Sequence, residues 1–332
     1  MNDIRKVELG QFFTVDKIWL KNHILKFIQN SSASIVYDPY AGNGDILKLN
    51  RYFGIELTKG LDIDPSLKWE LNDSLMNIPS LENSIIVTNP PYLAKQSATR
   101  RKIDVSRYFE ESKYDDLYLI ALDRMLDSSD NVVAIVPESF VNSNFKRKNR
   151  LVSITILEEN PFLDTEVPVC VVCFDNIEKK DSNIKIYKNN TMVGTYDRIK
   201  SIKLKPRKSV KIKFNDVNGW LALRAVDSKV SDKKILFGTK NQIDYDWDNN
   251  ISDTSRHYTL LSVEVPVELR EKMIKECNMI LARLRLESYD LILTPFMGNN
   301  NLGERRRRLD FKLARAIIEM AYAKIDNNNL RS

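Results

Sequence analysis

The stretch Ile85-Ile86-Val87-Thr88-Asn89-Pro90-Pro91-Tyr92 ends a run of β-prone residues in two prolines and an aromatic ring. Neither proline can donate to a sheet ladder, so the spacing predicts a buried strand that stops at Thr88 and leaves a rigid loop. Each proline holds its φ near about −65° and pushes the residue before it toward extended backbone, which fixes Asn89 before any substrate arrives. The Asn89 amide offers a carbonyl oxygen, Pro90 a backbone carbonyl without a competing N–H, and Tyr92 a flat ring that can stack. Two aimed acceptors beside a ring suit an aromatic amine. A strand followed by an ordinary proline turn would use the same residues, so the neighbouring elements decide between the two.

Upstream, Ile35-Val36-Tyr37-Asp38 reads as a short apolar strand running into Pro39-Tyr40-Ala41-Gly42-Asn43-Gly44, with a short apolar segment at 46–49 beyond it. Strand, glycine turn and helix start make a ligand cradle, because glycine lets backbone approach a ligand and a helix N-terminus presents free N–H groups. The spacing is not that of the dinucleotide fingerprint, and no Gly-Lys-Ser/Thr follows for a triphosphate.

Asn89-Pro90-Pro91-Tyr92 resembles the catalytic motif of S-adenosylmethionine-dependent amino-methyltransferases, and 38–44 is similar to their first cofactor motif. The resemblance is strongest to DNA adenine (N6) methyltransferases with the cofactor motif first and a C-terminal target-recognition domain, as in type II restriction-modification systems. It covers residues 8–175. The same tetrapeptide occurs in enzymes that methylate protein glutamine. The resemblance implies that Asn89, Pro90, Pro91, Tyr92 and Phe162 are catalytic. It also implies S-adenosyl-L-methionine binding by Phe13, Thr14, Asp38, Pro39, Tyr40, Ala41, Gly42, Gly44, Asp62, Asp73 and Asn89.

Several of these positions have an ordinary structural alternative. Asp38 suits a cationic sulfonium. Thr14 is equally an N-cap and Phe13 a buried aromatic, while Asp73 is also a natural turn residue. For the ribose acid, Glu56 and Asp62 compete. Asp62 is favoured, because Glu56 would leave too little chain for a strand plus a crossover, which needs roughly ten or more residues. Phe162 follows Pro161 in a loop, a poor place for a core residue, which favours stacking on a base.

The elements that must position these groups alternate. A helix is expected over 16–29, a polar and basic mobile loop over 93–113, a helix over 114–126, and strands over 131–136, 152–157 and 167–174. Such alternation predicts an α/β fold, a Rossmann-like mixed sheet with helices on both faces and its site at the strands' carboxyl ends. This catalytic domain is expected over 1–178, followed by a smaller basic α+β domain over 179–332 for target recognition. Within the second, 199–213 alternates apolar and basic residues like strands with a cationic face. Glu304 opens a helix running to Lys324 whose first residues are Arg305, Arg306, Arg307 and Arg308. These four, with Arg100, Arg101 and Lys102, are expected to meet DNA phosphates, although a charge run is commonly just a solvated face.

The net charge of +6 favours a polyanionic partner, here double-stranded DNA. Of three cysteines, Cys170 and Cys173 fall on opposite faces of one strand, and the chain has only two histidines, so no metal or redox role is read. No apolar run approaches the roughly 18 residues of a membrane span, and the N-terminus has no apolar signal core. A cytoplasmic monomer without a membrane role is expected, with any restriction endonuclease encoded separately. Protein-glutamine N5 methylation and a non-catalytic DNA-binding subunit are the competing readings.

Overall fold

A computed structural model describes residues 17–162, 165–247, 249–250 and 254–329. Phe13 and Thr14 lie outside the described residues. The chain divides into two compact units between Asp197 and Arg198.

In the first unit, a 3₁₀ turn at Lys17–Trp19 and helix α1 (Asn22–Gln29) stand where one helix was expected. They are separated because Lys21 is extended, at φ −78° and ψ 156°. Nine strands follow: β1 (Ile35–Asp38), β2 (Leu57–Asp62), β3 (Glu70–Leu71), β4 (Ser84–Thr88), β5 (Val132–Pro137), β6 (Leu151–Ile156), β7 (Val169–Phe174), β8 (Lys185–Lys188) and β9 (Thr191–Thr195). They form one sheet in the order 3-2-1-4-5-7-6-8-9. β7 runs against β5 and β6, and β9 against β8, whereas the other neighbours are parallel. This is the mixed α/β sheet that the sequence predicts. Its strand order reverses between β1 and β4, which opens a crevice at their carboxyl ends.

Burial explains the strands. Val36, Ile85, Val87, Val133, Ile135, Val171 and Cys173 share one apolar cluster with Ile24 and Ile28 of α1 and Phe53 of α2 (Asn50–Phe53). Residues of the other parity, such as Tyr37, Ile86 and Ala134, face away from it and are also buried. A sheet covered on both faces reads as continuous apolar runs, which β4, β5 and β7 have. β8 and β9 lie beyond the boundary expected after residue 178, yet they extend this sheet through pairing of β8 with β6.

The expected mobile loop over 93–113 is instead two short helices, α3 (Lys95–Arg101) and α4 (Ser106–Glu110), leading to α5 (Leu117–Ser128). Ala98, Val105 and Phe109 are buried and anchor the segment, a signal its many charges obscure.

Helix α6 (Tyr196–Ile202) spans the boundary between the units, and the second unit carries an antiparallel sheet of β10 (Ile212–Phe214), β11 (Leu221–Arg224), β12 (Leu236–Gly238) and β13 (Tyr258–Val263), ordered 10-13-11-12. Strands were expected across 199–213, but only its end is one. Pro206 lacks an N–H, and the Arg207 and Lys208 amides donate to Glu319 rather than to a neighbouring strand. Helix α7 (Arg270–Ser288), hairpin strands β14 (Thr294–Asn299) and β15 (Arg305–Arg308), and helix α8 (Phe311–Asn329) complete the unit. The four arginines therefore form a strand and not the start of a helix. Asp310 caps α8 instead, accepting the Leu313 amide at 2.8 Å.

Candidate active site

β1 and β4 are adjacent and parallel, so Asp38 and Asn89 arrive together at the carboxyl end of the sheet. The Asp38 carboxylate is buried and accepts the Thr88 hydroxyl at 2.5 Å and the Tyr40 amide at 3.0 Å. Burial, countered by these bonds and reinforced by nearby Asp62, raises its pKa to about 7. Such a carboxylate gains from a cation brought beside it.

Asp62 ends β2 one strand away and is also buried. Its oxygens accept the Gly42 amide at 2.8 Å and the Asp64 amide at 2.9 Å, leaving each oxygen a further lone pair. Glu56 precedes β2 and is exposed at the opposite end of that strand, away from Asp38. Of the two competing acids, only Asp62 shares an end of the sheet with Asp38 and Asn89.

The glycine turn bends through positive φ, +50° at Gly42 and +76° at Gly44. A Cβ at Gly42 would face open space, consistent with room for a ligand. At Gly44 the constraint is different, since a Cβ would lie 2.6 Å from the Trp69 ring. Trp69 also covers Gly60 and donates its indole N–H to the Gly42 carbonyl at 2.7 Å. This tryptophan braces the turn. Sequence reasoning missed it, although an indole close behind an acid-ending strand is a visible signal.

Beside the turn, a cleft is lined by Pro39, Tyr40, Asp62, Ile63, Asp73 and Pro91, among others. Tyr40 is tied to the far wall by donating to the Ser74 carbonyl at 2.9 Å, and burial holds its phenol well above the usual range. Pro91 joins the cleft to the Asn89 loop. Ala41, also expected at the cofactor, is buried beneath the turn in the apolar cluster.

Tyr92 is half-buried, with its hydroxyl in contact with both the Asn89 amide and the Ile135 carbonyl, 2.8 Å away in β5. A phenol carries one hydrogen. That hydrogen goes to either the Asn89 amide oxygen or the Ile135 carbonyl, so the hydroxyl links the Asn89 loop to β5. Phe162 lies edge-on to Tyr92, with ring centroids 6.3 Å apart. Contrary to the expectation for a loop phenylalanine, it is a core residue, 5% exposed and part of the apolar cluster. The loop folds back over the sheet, so following a proline does not expose it.

Residues 69–164 match the family model Eco57I restriction-modification methylase. The matched segment contains Trp69, Asp73 and the whole Asn89-Pro90-Pro91-Tyr92 loop. The likeness to S-adenosylmethionine-dependent methyltransferases of restriction-modification type therefore holds across the methylase motif. A search of curated proteins finds no match. Among solved structures, the chain is similar to the M protein of the type I restriction enzyme EcoKI at 12% identity, covering 94% of this chain and 70% of that one, with a TM-score of 0.40. It is similar to a type I restriction-modification methyltransferase subunit from Streptococcus thermophilus at 16% identity, covering 58% and 53%, with a TM-score of 0.36. An rRNA methylase from Streptococcus thermophilus is similar at 15% identity, covering 47% and 94%, with a TM-score of 0.28.

The expected DNA contacts fall into two groups. Arg100, Arg101 and Lys102 are exposed at the end of α3. Of the strand arginines, Arg307 is 2% exposed and offers no guanidinium to a phosphate. Its backbone amide donates to Asp227, a buried carboxylate that Arg285 also holds, at 2.9 and 3.0 Å. Arg306 is spent internally, donating to the Asp227 and Met297 carbonyls while stacking on Phe296. Arg308 lines a cleft with Arg256, a residue the sequence reading passed over. Cys170 and Cys173 are buried thiols whose pKa values burial raises, Cys173 to about 12. Among the described residues no helix is long and apolar enough to cross a membrane.

Proposed function

We propose that this chain transfers a methyl group from S-adenosyl-L-methionine to the N6 amino group of an adenine turned out of duplex DNA, as the modification enzyme of a restriction-modification system. The observation that carries this reading is the convergence of buried Asp38 and Asp62 with Asn89 at the ends of β1, β2 and β4. When bound, S-adenosyl-L-methionine supplies an electrophilic methyl on a positively charged sulfur. Asp38 faces that charge, Asp62 holds the ribose hydroxyls, and the open side of Gly42 admits the ligand to the backbone.

An adenine amino group is a weak nucleophile because its lone pair is delocalised into the ring, and the loop carries no side chain able to deprotonate it. Positioning does the work. The Asn89 amide oxygen and the Pro90 carbonyl accept the two amino hydrogens and favour tetrahedral nitrogen, which aims the lone pair at the methyl group. The proton leaves afterwards. Extruding the base costs a few kcal/mol, offset in part by contact with the Tyr92 ring, which Phe162 backs from the core. Arg100, Arg101 and Lys102 in the first unit, and Arg308 with Arg256 in the second, supply phosphate contacts. Cleavage of unmodified DNA belongs to a separate endonuclease.

The test is to incubate the full chain with methyl-labelled S-adenosylmethionine and, separately, duplex DNA, structured RNA and glutamine-containing peptides, then to digest and identify the labelled product. N6-methyladenine in DNA, lost in Asn89→Ala, is the expected result. Label in glutamine or solely in RNA would overturn the substrate assignment.

A further inference from the structure

Asp73 is held in a way the cofactor motif does not require. Its Oδ2 accepts Nη2 of Arg107 at 2.8 Å and the hydroxyl of Tyr108 at 3.0 Å, and the same Nη2 stands 2.6 Å from that hydroxyl. Every proton in this triangle has a place. One hydrogen of Nη2 goes to Asp73 and the other to the Tyr108 oxygen, while the single phenolic hydrogen goes to Asp73. The Arg107 guanidinium also lies 4.7 Å from the Tyr108 ring centroid, so the two side chains stack. Both come from α4, which buried Val105 and Phe109 anchor against the unit. Burial keeps the Tyr108 phenol above its usual range and therefore a donor.

The consequence falls on the other oxygen. Asp73 and Tyr108 line the same cleft as Asp62 and Ile63. Among the described residues no hydrogen bond reaches Asp73 Oδ1, and the two donors on Oδ2 orient the carboxylate. A carboxylate fixed in this way accepts and never donates.

We propose that Arg107 and Tyr108 are positioning residues that fix which purine the cleft accepts: by pinning Asp73 Oδ2 they aim Oδ1 at the ligand as a pure acceptor, selecting a 6-amino purine nucleoside over a 6-oxo one. This rests on the reading of the cleft as the S-adenosylmethionine site with Asp73 at the purine edge. The 6-oxo analogue would set its carbonyl oxygen against a carboxylate oxygen, two acceptors facing each other with no hydrogen between them.

Calorimetric titration of the full chain with S-adenosylhomocysteine and its 6-oxo counterpart S-inosylhomocysteine separates the two layers. The wild type should prefer the amino ligand on the order of a hundredfold. Asp73→Asn, whose amide can donate to the 6-oxo group, should abolish the preference. Tyr108→Phe should narrow it by about tenfold, the worth of one hydrogen bond to a charged group, and Arg107→Gln should narrow it to a similar or smaller degree. Arg107 is exposed, so its variant reports on the clamp even if Tyr108→Phe folds poorly. An unchanged preference in Asp73→Asn would overturn the reading of Asp73, and the clamp with it. Loss in Asp73→Asn with wild-type preference in both α4 variants would overturn the clamp alone, as would an equal loss of affinity for both ligands in those variants.

Discussion

At the scale of single residues, the proposed function assigns the chemical step to Asn89 and the holding of the base to Tyr92. Removing the Asn89 amide takes away an acceptor used most fully as the amino nitrogen becomes tetrahedral. Single-turnover methylation by Asn89→Ala should therefore fall about a hundredfold or more with little change in cofactor affinity. Tyr92→Phe keeps the ring but deletes the hydroxyl that bridges Ile135 and the Asn89 amide. It should lose about 1 kcal/mol of stability in denaturant melts and slow methylation less than Asn89→Ala does; an equal loss would place the hydroxyl in the chemistry. Asp38 gives a pH signature. Its folded pKa of about 7 lies above the ordinary 3.8, so the folded protein binds the proton more tightly and ligand-free stability falls as pH rises through that window. The carboxylate form binds a cationic ligand, so S-adenosylmethionine affinity should rise about tenfold between pH 6 and pH 8 as Asp38 ionises. Asp38→Asn should bind weakly with a much flatter pH profile, and a profile as steep as the wild type's would exclude Asp38 as the titrating group.

Among the elements, the turn after β1 and helix α4 both line the cleft. Trp69 closes over Gly44 and Gly60, so the turn's shape depends on a ring from outside it. Gly60→Ala would set a Cβ 2.4 Å from that ring. Thermal or denaturant melts should show a loss of roughly 1 to 3 kcal/mol from overpacking, and a variant as stable as the wild type would show that Trp69 moves freely. Trp69→Phe should retain most of the packing but drop the bond to the Gly42 carbonyl, weakening the cofactor several-fold more than it weakens the fold. In α3 and α4, buried Ala98, Val105 and Phe109 alternate with exposed cations, so one stretch anchors the wall of the cleft while presenting Arg100, Arg101 and Lys102 to solvent.

On the scale of the whole molecule, the proposed function gives the chemistry to the first unit and phosphate contacts to both units. In the second unit, Arg256→Ser with Arg308→Ser should weaken binding to all duplexes alike and reduce the salt dependence by about two units of slope. Arg307→Ala should instead unfold that unit at lower denaturant, because its side chain is interior. If the Arg307 variant were stable and the double variant bound normally, the assignment of strand face would be reversed. The sequence by itself determined the pieces whose causes lie within a few residues: β4 stops at Thr88 because prolines follow, apolar runs make buried strands, and Asp38, Gly42 and Asn89 are recognisable in place. Tertiary structure alone set Asp62, and not Glu56, at the sheet end shared with Asp38 and Asn89, moved Phe162 into the core, turned the arginine run into a strand with one arginine buried, and set Trp69 over the glycines. The deciding contacts span 27 positions from Trp69 to Gly42 and 50 from Thr88 to Asp38. Local propensity acts across a turn or two of chain, whereas burial and hydrogen-bond partners are assigned when distant segments pack, and the same residue types can satisfy several such assignments.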